Sequence, residues 1–341
     1  MNQPTDQTGR HRLSEADRAG DLVGDQITPT HIPTASAANE DLSPAKHSAV
    51  FDIQRASSAS GDGPETRKRI GKHRLQQLAD QLGERDRLIL EAVAEHRFLT
   101  TTQLADLLFA DLSPASRQRI PQRVLARLRR VGLLDTLPRR VGGVAAGSQD
   151  LIHYLTEAGK RLLVLGGKEP RGRSWHEPSA RFAGHHLAVA DVRVALELAH
   201  RAKTLELVRY QIEQDARRLY LGLGGARLAL KPDLYVETAT DPDGSYVDTW
   251  FVEVDLGSES IPTLIGKCHD YEQYRRQGIE QQQGGFPWVL WLLLGKNTER
   301  IERRRTALAK ALAADKTLPA RLFQIITPDQ LIPTMTKGVA L

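Results

Sequence analysis

From Glu84 onward the apolar residues keep helical spacing through three successive segments and then give way to a glycine-rich stretch, an order few folds accept. Leu88, Ile89, Ala92 and Val93 share one face of a first helix that ends near Phe98-Leu99. Thr101 or Thr102 is placed to cap a second, with Leu104, Leu107 and Leu108 turned inward. Ser113-Pro114 opens a third as a cap followed by a first-turn proline. Pro121 sits where a helix starts or kinks, and Ile120, Val124, Leu128 and Val131 form the apolar stripe that Gly132 ends. Leu133 to Tyr154 reads as a β-hairpin around the turn-rich Gly142 to Ser148, and Thr156 to Lys160 begin a closing helix. Three helices followed by a hairpin is the order of a winged helix-turn-helix.

The charge along the chain singles out the same segment. Residues 1–64 carry 5 Lys and Arg against 9 Asp and Glu, residues 65–168 carry 19 against 11, and the remainder is balanced at 23 against 22. Eight arginines fall between Arg117 and Arg140, with Asp135 as the one acid among them. Arg119, Arg123, Arg127 and Arg130 are spaced by four, four and three, which lines them along one helical face beside the apolar stripe. Arg117 precedes this row, Arg129 lies inside it, and Arg139 and Arg140 begin the hairpin. A guanidinium fork suits phosphates or guanine edges, so the helix points to double-stranded DNA as partner. The plainer reading is a solvated basic face, or one docked on the acidic tail. The winged-helix order and the single sign of charge favour DNA.

Residues 1–64 lack apolar periodicity and are rich in Ser, Thr, Ala, Pro and Gly, the composition of a disordered tail. The winged unit then occupies 65–168, a linker runs from Gly166 to Arg173, and 174–330 form a second domain before a short tail at 331–341. In that domain helices are expected at His185 to Arg201, Thr263 to Arg276 and Glu299 to Ala314. Strands are expected at Leu205 to Glu213, Leu228 to Glu237, Thr249 to Asp255, Pro287 to Leu294 and Leu322 to Ile326. The order α-β-β-β-α-β-α-β predicts an α/β domain with a mixed central sheet.

Its chemistry concentrates at two strands. Lys231-Pro232-Asp233 opens one, and the next carries Glu253 and Asp255, which period-two alternation puts on one face. With Asp233 on the neighbouring strand, three carboxylates are expected to converge as ligands for a hard divalent cation such as Mg²⁺, with Lys267 of the following helix aimed at the same place. Asp233, Glu253, Asp255 and Lys267 are then the candidate catalytic set of a metal-dependent nuclease or nickase. The plainer alternative is an acidic strand end that caps backbone groups or pairs with Arg275 and Lys231. His185-His186 reads as a polar helix start. Tyr271 and Tyr274 are more readily packed rings than nucleophiles, and Gly222 to Gly225 precede no helix and so form no phosphate loop.

The pattern PD followed about twenty residues later by ExD resembles the PD-(D/E)xK restriction-endonuclease-like fold. From roughly Gly83 to Pro328 the chain is similar to the replication-relaxation proteins of bacterial plasmids and integrative elements. The residues that carry this are Gly184-His185-His186-Leu187 with Asp191, Lys231-Pro232-Asp233, Phe251 to Glu259, and Lys267 with Tyr271. The resemblance implies a role in replication or transfer of a mobile genetic element; replication or conjugation proteins and a second copy of the chain are candidate partners. It departs from the nuclease pattern at Asp255, where a lysine is usual, which leaves either Lys267 as the substitute cation or a site that binds metal weakly or is inactive. A winged-helix transcriptional regulator is the remaining alternative.

The lone Cys268 excludes an internal disulfide and a cysteine metal cluster. Met1 to Arg10 is polar, unlike a signal peptide, and the longest apolar run, Trp288 to Leu294, is far short of the ~20 residues that span a bilayer. The expected location is the cytoplasm, away from membranes.

Overall fold

A computed structural model describes residues 10–12, 70–137, 150–167, 180–240, 246–295 and 297–337. Most of the 1–64 tail, the hairpin tip with Arg139 and Arg140, the 168–179 connection, the turn at 241–245 and the last four residues of the chain lie outside the described residues. Arg10–Arg12, inside the segment read as a disordered tail, form strand β1.

The first unit packs helices α1 (Lys72–Gln81), α2 (Glu84–His96), α3 (Thr101–Leu108), α4 (Pro114–Arg130) and α5 (Glu157–Leu165) around a small sheet. Strands β2 (Leu99–Thr100), β3 (Leu134–Thr136) and β4 (Ile152–Leu155) are antiparallel in the order β2-β4-β3. The cap of α3 is Thr100, one residue ahead of the pair expected. Its hydroxyl accepts from the backbone N–H of Gln103 (3.1 Å), and the Gln103 side chain accepts from the Thr100 N–H (2.9 Å), a reciprocal box that satisfies two orphan donors. Helix α4 runs unbroken through Pro121 and buries Pro121, Leu125 and Leu128. Ile120 and Val124, expected at the centre of its stripe, are only half-buried. Helix α2 contributes Ile89, Leu90 and Val93 to this core, all at most 1% exposed, while Leu88, expected on the same face, is half-buried. Gly159 lets α5 close over β3: a Cβ there would lie 2.2 Å from the Leu133 carbonyl oxygen.

The second unit is built on a mixed sheet of β5 (Glu206–Ile212), β8 (Leu234–Ala239), β9 (Tyr246–Asp255), β10 (Trp288–Leu293) and β11 (Phe323–Ile326), in the order β11-β10-β9-β8-β5. Strands β9, β10 and β11 are parallel, while β8 runs antiparallel to both β9 and β5. Strand β1 pairs with Tyr246–Asp248 on the edge of β9 that β10 leaves free. The stretch read as one strand over Leu228–Glu237 is two, because Lys231-Pro232-Asp233 interrupts it. Its first part, β7 (Arg227–Leu230), forms a separate hairpin with β6 (Arg218–Leu221).

Alternation along the strands divides the interior into two layers. Val236, Trp250, Val252, Leu290 and Leu292 face helix α6 (Ala180–Arg201). Tyr235, Phe251, Val289 and Trp291 face α7 (Ile261–Arg275) and α8 (Thr298–Ala314) on the other side. A last helix, α9 (Leu331–Lys337), lies in the stretch read as a tail and also packs on α6. The first unit docks on α6. The Gln103 amide donates to the Leu187 carbonyl (2.9 Å) and to Asp191 (2.6 Å), and the Arg201 guanidinium donates to the carbonyls of Asp106 and Leu107. Phe98 and Tyr154 extend from the first unit into the α6 layer of the core. Among the described residues no helix is long and apolar enough to cross a membrane.

Candidate functional site

The arginines of α4 divide into anchored and free. Arg117 donates to the carbonyls of Phe109 (3.3 Å) and Ala110 (3.0 Å), closing the end of α3. Arg127 forms an ion pair with the buried Asp86 of α2. Arg129 is half-buried beside His153. Burial, and then the Arg129 charge, lower the His153 pKa to about 4 and keep the ring neutral. Arg119, Arg123 and Arg130 are exposed and make no ion pair among the described residues. They share one helix face over about 16 Å, at 1.5 Å rise per residue. Of the arginines expected to reach DNA, the structure leaves these three available and commits Arg117 and Arg127 to the fold.

The acidic residues assemble in pairs, not as a trio. The β8–β9 register sets Leu234 against Val252, so Asp233 and Glu253 fall opposite one another where the ladder ends. Asp233 accepts from the Val254 N–H (2.8 Å) through Oδ2 and meets His185 Nε2 (2.9 Å) through Oδ1. Glu253 is 3% exposed. Its Oε1 accepts from the Tyr271 hydroxyl (2.6 Å), and its Oε2 lies 3.5 Å from Lys267 Nζ. Burial, and then the Asp233 charge, push the Glu253 carboxyl up to about 8, although Lys267 pulls the other way. Burial disfavours the Lys267 ammonium as well, but Glu253, Glu259 and Asp233 outweigh it and hold Lys267 above its ordinary value. Glu259 Oε2 lies 2.9 Å from the ammonium.

Asp255 leaves this group. It shares a face with Glu253, as period two requires, but is one step nearer the end of β9, where Arg304 of α8 takes it. Arg304 Nε bonds Oδ2, Arg304 Nη2 bonds Oδ1 (2.9 Å), and the Gly257 N–H donates to Oδ1 (2.9 Å). The expected convergence of Asp233, Glu253 and Asp255 on one cation is therefore not what the side chains do. Among the described residues no group of three or more His, Cys, Asp or Glu is placed to hold a metal ion. The donor set as folded does not fit Mg²⁺. Both Asp233 oxygens are engaged, Glu253 is sealed beneath Tyr271 and Lys267, and Asp255 is saturated by a guanidinium.

The tyrosines are structural. Tyr271 is 1% exposed, and burial followed by the Glu253 charge hold its hydroxyl far above the ordinary range, which keeps it protonated. Tyr274 donates to Glu280 Oε1 (2.8 Å), and its pKa is raised, first by burial.

Three participants had no local signal in the sequence. Arg304 lies 49 residues beyond its partner Asp255. Glu213 and Arg97 both adopt positive φ, 47° and 64°, and pair at 3.4 Å. His186 sits against Glu213 while its neighbour His185 faces Asp233. The two histidines read as a polar helix start thus connect the end of α2 to the acidic pair. Burial works against the Glu213 carboxylate, but the His186 bond and charge and then Arg97 overcome it and lower its pKa.

Comparison with known proteins agrees with the resemblance drawn from the motifs. The sequence profile of the replication-relaxation family matches residues 90–289. No curated protein matches the chain. Among solved structures, protein VC1899 from Vibrio cholerae aligns at 13% identity with a TM-score of 0.29, covering 79% of this chain and 56% of that one. That likeness is too slight to bear on the fold, and the chain spans little more than half the length of that structure. The family match takes in α3, the arginine helix, the acidic pair and Lys267, and by it the chain belongs to the replication-relaxation family.

Proposed function

We propose that this chain binds double-stranded DNA through α4 and supports replication or transfer of the plasmid or integrative element that carries it. The reading rests on one observation above all: Arg119, Arg123 and Arg130 stand exposed and unpaired among the described residues, on a helix that Arg117 and Arg127 brace. In this reading the first unit is a winged helix, with α4 as its recognition helix and β3–β4 as the base of its wing. The second unit is a restriction-endonuclease-like domain that serves as a platform. Exposed guanidinia that need no folding partner are suited to phosphates, because binding releases the DNA's counterions.

Metal-dependent cleavage is the second reading, favoured by the meeting of Asp233, Glu253 and Lys267 in the arrangement a nuclease would use. The engagement of every one of these carboxylates by protein donors speaks against it, so no cleavage step is assigned to them.

The test is duplex affinity measured across salt concentrations. Arg119→Ala/Arg123→Ala is expected to weaken binding and to lower the slope of log affinity against log salt by about 1.8, at about 0.9 per lost phosphate contact. Equal affinity and equal slope in the double variant would remove α4 from the DNA surface. Arg127→Ala is the contrast, expected to act on stability through Asp86.

A further inference from the structure

A second concentration of positive charge lies on α8. Arg300 and Arg303 are exposed and make no ion pair among the described residues. With Arg304, Ile261 and Ala307 they line an open recess of ≈ 340 Å³, and among the described residues no carboxylate belongs to its lining. Arg304 forms one wall and is held there by Asp255 and by the Glu259 carbonyl (2.7 Å). Glu302 on the same helix points to Arg305 (3.7 Å) instead. Lys310 continues the exposed row, at the 3-4-3 spacing of Arg300, Arg303, Ala307 and Lys310 that keeps one helix face. Two open arginine forks above a fixed third, against an apolar wall, suit a sugar–phosphate backbone.

The position of this recess is informative. Helix α8 packs on the face of the central sheet opposite α6, and the first unit docks on α6. The α8 arginines therefore lie across the sheet from the helix on which the first unit docks. Duplex DNA, with a persistence length of about 150 base pairs, does not fold around one small domain without a large bending cost. We infer that α8 is a second phosphate-binding surface and that one chain holds two duplex segments at once. This rests on the reading of α4 as a DNA-binding helix.

A bridging assay tests it. The full chain is added to a duplex fixed on beads, and capture of a second, labelled duplex is measured. The wild type is expected to capture it. Arg300→Ala/Arg303→Ala is expected to bind a single duplex within about twofold of wild type while capture falls at least about tenfold, as two lost phosphate contacts imply. Capture at the wild-type level by this variant would place bridging in paired α4 surfaces of two copies and overturn the inference. So would a wild type that binds the bead duplex and captures nothing. An equal loss of single-duplex affinity would put α8 and α4 on one duplex and overturn it as well. A wild type that binds no bead duplex would instead overturn the reading of α4.

Discussion

Replacing Arg304 by alanine is expected to destabilise the fold by about 3–5 kcal/mol, the cost of leaving a buried charge without its partner. Asp255 has a 2% exposed side chain and takes three donors, two of them from Arg304. Without the guanidinium only the Gly257 N–H remains to the carboxylate. The Glu259 backbone carbonyl loses its Arg304 donor as well, which adds to the cost. Urea denaturation should show a lower midpoint with an unchanged slope. Adding Asp255→Asn to the Arg304→Ala chain removes the stranded charge and should restore part of the stability. A loss below about 1 kcal/mol, the range of exposed pairs, would mean that water reaches Asp255 and that the pair does not close the end of β9.

The second large effect is a pH dependence set by Glu253. Its carboxyl titrates near 8 in the folded chain, against an ordinary value of 4.5. Between those values folded Glu253 keeps a proton that the unfolded chain has released, so the native state binds more protons and stability falls as pH rises. The slope from this one group approaches about 1.4 kcal/mol per pH unit within the window. Glu253→Gln keeps the shape, removes the titration and should flatten the stability curve between about pH 5 and 8, leaving the variant more stable than wild type at the upper end. Parallel curves for the two proteins would show that Glu253 is ionised throughout and that Lys267 fully compensates it.

Much of this architecture is written in local spacing. The period of 3.6 located α2, α3 and α4, and the four-four-three spacing of Arg119, Arg123, Arg127 and Arg130 put them on one face because a helix leaves no other choice. What spacing does not reveal is which of those arginines the fold itself uses. Arg127 pairs with Asp86, 41 residues earlier, and Arg117 closes the end of α3. The same limit applies to the acidic residues. Period two placed Glu253 and Asp255 on one face, but a guanidinium from a helix 49 residues later separates their roles. Pro232 was read inside one continuous strand, and only the fold shows that it breaks the strand and leaves Asp233 opposite Glu253 and bonded to the Val254 N–H. The positive φ of Glu213 and Arg97 carries no signature in residue type, since neither is a glycine. Contacts between distant segments decided each of these cases.

The central claim is that the chain grips DNA through α4 while its acidic pair, held by protein donors, leaves the DNA backbone uncut. Incubation of the purified chain with supercoiled plasmid, with and without Mg²⁺ or Mn²⁺, tests it most directly. The account predicts that the plasmid is bound and stays supercoiled after protein removal under both conditions. Open-circular or linear product that forms only with the metal, and that Glu253→Gln abolishes, would contradict it.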